Sequence, residues 1–116
     1  MKNWKDNFKK GKEIVFVTAS ESGIPNANIV VAVGLVDGKI LVADCQMKTT
    51  IKNLRKNNRV CVLGGYYRVK GKAKIFSSGP YFDLCEKSSG GYKVKNAILI
   101  TINKVFNLNS GKEVSL

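Results

Sequence analysis

The succession of short apolar runs and turn residues is the feature that most restricts the fold of this chain. The runs are rich in β-branched and aromatic residues and too short for typical helices, which favours strands. The dipeptide Asp37-Gly38 is a strong signal for a two-residue hairpin, with 33–36 as its first arm. In this part of the chain the predicted strands are Ile14 to Ala19, Pro25 to Val33 and Lys39 to Ala43.

The second half of the chain continues the strand pattern. Val60 to Leu63 is an apolar run that ends at two glycines. From Val69 to Ile75 lysines at positions 70, 72 and 74 alternate with small or apolar residues, as in a strand with one solvated face. Ala97 to Leu108 is the longest strand candidate, and Asn103 and Lys104 predict a bulge midway. The chain therefore has six predicted strands.

Three short helices are expected between these strands. Trp4 and Phe8, four residues apart, predict an amphipathic turn of helix near the start of the chain. Ile51 and Leu54 lie at helical spacing within Lys48 to Asn57. A third helix is predicted to start at Ser78 as the cap, with Pro80 in the first turn and Tyr81, Leu84 and Cys85 as its buried stripe.

A chain of 116 residues matches one domain, so 1–116 is expected to fold as a single unit. Six strands joined mostly by hairpins, with only short helices, leave too little chain for a sandwich with extra layers. Closing the sheet removes the unpaired edges that would otherwise aggregate. The predicted fold class is therefore mainly β, a six-stranded antiparallel barrel with short helices.

The formal net charge is +12, from 20 Lys and Arg against 8 Asp and Glu. Such a field favours anionic partners, which include nucleic acid, acidic membrane surfaces and phosphorylated small molecules. Arg is the usual residue for bidentate contacts with guanine and phosphate, and only Arg55, Arg59 and Arg68 are present. Nucleic acid is therefore the less favoured anion.

Cysteine and histidine usage excludes several kinds of site. Cys45, Cys61 and Cys85 are odd in number and widely spaced, so neither a disulfide framework nor a metal site is predicted. The chain has no His, which removes the commonest transition-metal ligand and the usual general base. Reduced thiols and the lack of an apolar leader or of about 20 consecutive apolar residues lead us to expect a cytoplasmic protein without a membrane span.

The segment from Ala43 to Leu54 predicts an anion site. A strand runs through a short loop into a helix that begins near Lys48 and Thr49. Free amides of a first helical turn, the positive end of the helix dipole, a hydroxyl and an ammonium group can converge on one phosphate. Considered by itself, however, a threonine at a helix start is more often only a cap.

Three stretches carry a resemblance to a known family. They are VFVTASESGIPNANIV from residue 15, DGKILVADCQMKTTIKNLRKNNRVCVLG from residue 37 and RVKGKAKI from residue 68. In this order and spacing they resemble the pyridoxamine 5′-phosphate oxidase-like FMN-binding split barrels. The resemblance covers about residues 13 to 108, and its most specific part runs from Lys48-Thr49 through Asn53-Leu54 to Leu63.

The resemblance implies a homodimer that binds FMN in a groove between its two subunits. At the matching positions, Lys48, Thr49 and Thr50 would hold the phosphate. The isoalloxazine ring would rest against the strand at Asn28, Ile29 and Val30 and against the strand end at Ala43, Asp44 and Cys45. Backbone groups of a strand can bond the polar edge of such a ring while apolar side chains cover its face. Ile29 and Val30 are also plausible core residues.

The chain departs from the vitamin-forming oxidases of this family. It has no match for their C-terminal segment with a Trp and Arg-His elements, and its single Trp is Trp4. Pyridoxamine phosphate oxidation is therefore not expected. The absence of His also disfavours the haem-handling and the His-containing nitroimidazole-reductase branches.

Three functions remain open at this point. The first is a flavin oxidoreductase acting on a small molecule or redox partner, with FMN or a deazaflavin and with Tyr66, Tyr67 and Cys45 as candidate proton donors. The second is a flavin carrier or electron-transfer module without a substrate pocket. The third is a nucleic-acid-binding barrel that uses the lysines at 70, 72 and 74 beside the two tyrosines.

Overall fold

The computed structural model describes residues 3–116. The two residues before Asn3, which the predicted single domain includes, lie outside the described residues. The described chain contains a 3₁₀ helix, seven strands and two α-helices. In chain order these are the 3₁₀ helix Trp4–Phe8, β1 Glu13–Ala19, β2 Pro25–Val36, β3 Lys39–Asp44, α1 Thr49–Lys56, β4 Arg59–Gly64, β5 Tyr67–Phe76, α2 Pro80–Ser88, β6 Asn96–Asn107 and β7 Glu113–Val114.

The strands form one antiparallel sheet in the order β3-β2-β1-β4-β5-β6-β7. Pairing of β3 with β6, from Ile40 opposite Ile100 to Asp44 opposite Asn96, closes the first six of them into a barrel. The predicted six-stranded antiparallel barrel is confirmed. The short strand β7 adds to the outer edge of β6 and was not predicted, because two residues after a turn carry no periodic pattern.

The core lies inside the barrel. In β1 every second residue is buried, including Ile14 and Phe16, and the residues between them face outwards. Trp4 and Phe8 of the 3₁₀ helix and Ile51 and Leu54 of α1 join this cluster. The predictions of a short N-terminal helix and of a helix after β3 are therefore confirmed.

A second, smaller cluster lies outside the barrel, beneath α2. Cys85 packs there with Leu41 and Leu99. The predicted buried stripe of this helix was partly wrong: Leu84 is 39% exposed, and Cys85 is its fully buried member. Ser78 is not the cap, because the helix follows Gly79 and has no side-chain cap bond.

Two strands contain irregularities that the sequence indicated in part. β2 was predicted to end at Val33 but continues to Val36, with a register shift between Ala32 and Gly34 in its pairing with β3. In β6 the pairing with β5 jumps from Lys104 to Ile102, which confirms the predicted bulge at Asn103. Both shifts bend the sheet as the barrel closes.

Candidate functional site

An open groove of about 1110 Å³ runs along β2 between the β3–α1 loop and the C-terminal end of α2. Eight of the nine predicted site residues line it, although they come from three separate segments of the chain. The exception is Asp44. The eight are Asn28, Ile29, Val30, Ala43, Cys45, Lys48, Thr49 and Thr50.

The β2 wall of the groove is a strand edge without a strand partner. β1 pairs with β2 over residues 25–31, whereas β3 pairs with β2 only from Ala32 to Val36. Within the described residues no strand covers the other edge of 25–31. This edge therefore offers main-chain donors and acceptors to a ligand in the groove.

Side chains on this part of β2 alternate between two environments. Ile29 is 74% exposed and Val31 is 56% exposed, on the face turned away from the barrel core. Asn26 and Asn28 lie on the other face, where both donate from Nδ2 to the Thr50 hydroxyl. Thr50 is almost fully buried, and these two bonds to its hydroxyl link α1 to β2.

The buried side chain of Asp44 holds the β3–α1 loop in place by hydrogen bonds. Its side chain is 1% exposed and does not line the groove. Oδ1 accepts from the Met47 amide at 2.8 Å, and Oδ2 accepts from Asn96 Nδ2 at 2.8 Å. The predicted position of Asp44 at the strand end is correct, but its carboxylate is engaged with the protein itself.

The start of α1 faces the groove with polar groups. Lys48 is its N-cap residue and Thr49 its first residue, and both side chains are exposed. Among residues 3–116 no side chain bonds to the first turn as a cap, so the alternative interpretation of a threonine cap does not hold here. First-turn amides of an uncapped helix keep their capacity to bond an anion.

The third wall of the groove, formed by α2 and the loop after it, was missed by sequence reasoning. Cys85, Ser88, Ser89 and Tyr92 line this side. The Cys85 thiol donates to the Val42 carbonyl oxygen at 3.8 Å. Burial, and then the neighbouring Cys45, raise the pKa of Cys85 to about 11. The one signal for this wall in the sequence was Tyr92, an aromatic residue in a polar loop directly after two glycines.

The groove has a positive lining. Lys10 and Lys48 are among its lining residues, and no Asp or Glu is among the described ones. Of the three candidate proton donors only Cys45 lies here, whereas Tyr66 is 68% exposed in the β4–β5 turn and Tyr67 lies in β5. The arrangement can hold an anionic, partly apolar molecule against a strand edge.

Residues 3–116 contain neither a cluster of metal ligands nor a helix suited to crossing a membrane. No group of three or more Cys, Asp or Glu side chains is arranged to hold a metal ion there. None of the helices described is long and apolar enough to cross a membrane. The lysines at 70, 72 and 74 are exposed and alternate with buried residues, as predicted for β5.

Comparisons with known proteins agree with this architecture. The family model for pyridoxamine 5′-phosphate oxidase matches residues 2–109. The uncharacterized protein MJ0282 of Methanocaldococcus jannaschii is 33% identical over 114 residues, which cover 87% of this chain and 76% of that protein.

Two solved structures share the fold. HupZ of Group A Streptococcus superposes with a TM-score of 0.83 at 23% identity, over 99% of this chain and 100% of the other. An FMN-binding protein of Syntrophomonas wolfei gives 0.70 at 18% identity, over 89% and 77%. With the family model matching nearly all of its length, this chain belongs to the pyridoxamine 5′-phosphate oxidase family.

Proposed function

We propose that the chain, folded as one domain over residues 1–116, binds FMN in this groove and acts as a homodimeric flavin oxidoreductase on a small molecule or redox partner. The observation that carries the proposal is the convergence of eight predicted residues on one groove. The membership in the family and the fold shared with an FMN-binding protein support it. A deazaflavin in place of FMN is the alternative cofactor.

The donor set of the groove fits FMN. Lys48, Thr49 and the uncapped first turn of α1 suit a phosphate group, and they lie at one end of the lining. The unpaired edge of β2 suits the polar edge of a flat ring, with Ile29 and Val31 as apolar neighbours. FMN, when bound, supplies the electron-transfer chemistry that these side chains lack.

Each wall of the groove has its own task in this proposal. Lys48 and Thr49 bind the phosphate, and the positive lining favours an anionic reduced ring. The buried bonds of Thr50 and Asp44 hold the loop and the helix start in position. Cys45 is the single candidate proton donor that reaches the groove.

The openness of the groove favours an oxidoreductase over a flavin carrier. A carrier would be expected to cover the ring with tightly packed aromatic side chains. Here Tyr92 is the one aromatic among the described lining residues, and it is 75% exposed. A substrate therefore has access from solvent on the sides of the groove that the proposed second copy leaves uncovered. The three free thiols are consistent with action in the cytoplasm.

The proposal of a homodimer is based on the exposed apolar face of β2. Ile29 and Val31 are exposed beside the groove, and patches of this kind mark interaction surfaces. A second copy of the chain placed on this face would cover both residues and one side of the groove.

The phosphate assignment is tested with the double variant Lys48→Ala/Thr49→Ala. Loss of two charge-assisted or hydroxyl contacts should weaken FMN binding by about a hundredfold, and riboflavin binding by less than about threefold. Flavin absorbance and fluorescence titrations of the purified apoprotein measure both affinities. Lys52→Ala/Thr101→Ala removes the same groups at exposed positions outside the groove and should change neither. Equal losses for the two flavins would contradict the assignment.

A further inference from the structure

A second cavity, of about 450 Å³, adjoins the groove. It shares Cys45, Gln46, Lys48 and Tyr92 with the groove and is further lined by Lys93 and Lys95. Its volume lies within the range of about 300 to 1,000 Å³ that is usual for small-molecule sites. A ligand bound at Lys48 can therefore extend from the groove into this chamber.

The chamber has a defined backbone frame. The Lys95 amide donates to the Asp44 carbonyl oxygen at 2.8 Å, which holds the segment before β6 against the β3–α1 loop. Val94 is 4% exposed, whereas Lys93 and Lys95 on either side of it are exposed. Both exposed lysines therefore flank a buried residue, and both line the same cavity.

The charge of the chamber is positive without a balancing acid. Its lining contains Lys48, Lys93 and Lys95 and no carboxylate among the described residues. The Asp44 carboxylate in the adjoining segment is buried and occupied by its bonds to Met47 and Asn96. Three lysines among the six lining residues favour a phosphate or carboxylate ligand.

Tyr92 adds a flat apolar surface to this cationic cavity. Its ring is 75% exposed and follows Gly90 and Gly91, whose φ values of +64° and +100° place them in the left-handed region. An exposed aromatic ring can stack a nucleobase of any type. Cations and a stacking surface together are the elements that recognise a nucleotide.

We propose that this chamber binds a phosphorylated aromatic group, the adenylate half of a dinucleotide flavin whose first phosphate lies at Lys48. This inference rests on the proposed flavin groove and extends it: the FMN half of such a flavin would lie in the groove, and its adenylate half would lie in the chamber. The same chemistry has a second source, a separate adenine nucleotide that binds beside FMN. The two sources differ in whether the nucleotide is joined to the flavin.

The experiment compares the wild-type protein with Lys93→Ala/Lys95→Ala. FMN, FAD and ADP are each titrated into the apoprotein, and ADP is also titrated into the FMN-loaded protein, by calorimetry. We expect the variant to lose about tenfold or more in FAD affinity and to keep FMN affinity within about twofold, because both lysines lie outside the FMN groove. Lys70→Ala/Lys72→Ala, which removes the same charge from exposed positions of β5, should leave all three affinities unchanged.

The titrations with FAD and with ADP distinguish a joined adenylate from a separate nucleotide. A loss confined to ADP would assign the chamber to a separate nucleotide, and an unchanged affinity for both FAD and ADP would overturn the proposal. Tyr92→Ser should weaken the same ligand, and Tyr92→Phe should retain it. Wild-type protein that binds no FMN would refute the flavin groove, whereas ADP binding that still depends on Lys93 and Lys95 would leave the chamber standing.

Discussion

At the level of single residues, four buried polar side chains shape the groove: Thr18, Asp44, Thr50 and Asn53. Asn53 donates from Nδ2 to the Thr18 hydroxyl at 3.0 Å, which fixes α1 on β1. Thr50 holds the same helix to β2, and Asp44 holds the loop before it. Buried polar groups are costly when unpaired, so each bond also selects one position of α1. The exposed Lys48 and Thr49 are thereby presented on a fixed frame.

The buried Cys85 thiol predicts how the stability of the protein depends on pH. Its folded-state pKa of about 11 exceeds the ordinary value of 9.0 because the thiolate is disfavoured by burial. The folded state therefore retains the proton longer than the unfolded state does. Stability that is fully present below pH 9 should be lost as the pH rises through about 11. Urea unfolding of the wild type and of Cys85→Ala between pH 8 and 11 measures this loss, which spans roughly two pH units.

The slope of stability with pH decides this prediction, since Cys85→Ala also leaves a small cavity that lowers stability at every pH. The variant should show the flatter slope above pH 9. Val94→Ala serves as the control and should keep the wild-type slope, because it removes buried atoms from the same apolar cluster but no titrating group. Parallel curves for wild type and Cys85→Ala would contradict the assignment of the alkaline loss to this thiol.

Among the elements, β5 and β6 approach each other closely at the bulge. Gly71 pairs with Ile102 just where the register shifts, and a Cβ at this position would collide with the Thr101 carbonyl oxygen. Because backbone occupies that space, the two strands would have to separate. Gly71→Ala should lower the free energy of unfolding by about 2 kcal/mol or more. Chemical denaturation measures the change.

Gly111→Ala is the matched control for this prediction. Gly111 has a φ of +73°, and a Cβ added there would lie in open space. Gly111→Ala should therefore lower the free energy of unfolding only by the cost of a left-handed backbone, about 1 kcal/mol. If Gly71→Ala cost no more than Gly111→Ala, close approach of the strands would not be the reason for glycine at position 71.

The elements also show which parts of the fold were open to prediction. Strands with a period of two and the Asp37-Gly38 turn could be located because their burial pattern is local. The part of the groove lined by the β3–α1 loop and the start of α1 could be predicted, since a strand, loop and helix follow one another there. The α2 wall could not, because Cys85 reaches its partner Val42 across 43 residues. Leu84 was misplaced for the same reason: which face of α2 is buried depends on the barrel beneath it.

At the scale of the whole molecule, the positive charge attracts anions without selecting among them. Within residues 3–116 the one ion pair joins Lys9 and Asp6 at 2.7 Å on the surface, so most of the net charge of +12 is not neutralised by contact. Exposed charges of this kind are screened by salt within about 10 Å. Selection must therefore come from the groove and its chamber, where lysines are combined with a strand edge and an aromatic ring.

Self-association is the remaining property of the whole molecule. The proposed dimer covers the apolar face of β2, where Val31 is 56% exposed beside the groove. Val31→Glu would place a carboxylate in that interface, and burial of an unpaired charge should weaken association by about a hundredfold or more. Light scattering should then find mass falling from twice 12.7 kDa to 12.7 kDa, with weaker FMN binding. Leu116→Glu changes an apolar residue that is 71% exposed elsewhere and should remain dimeric. A wild-type protein that is monomeric at all concentrations, or a Val31→Glu dimer, would show that this face is not the contact between copies.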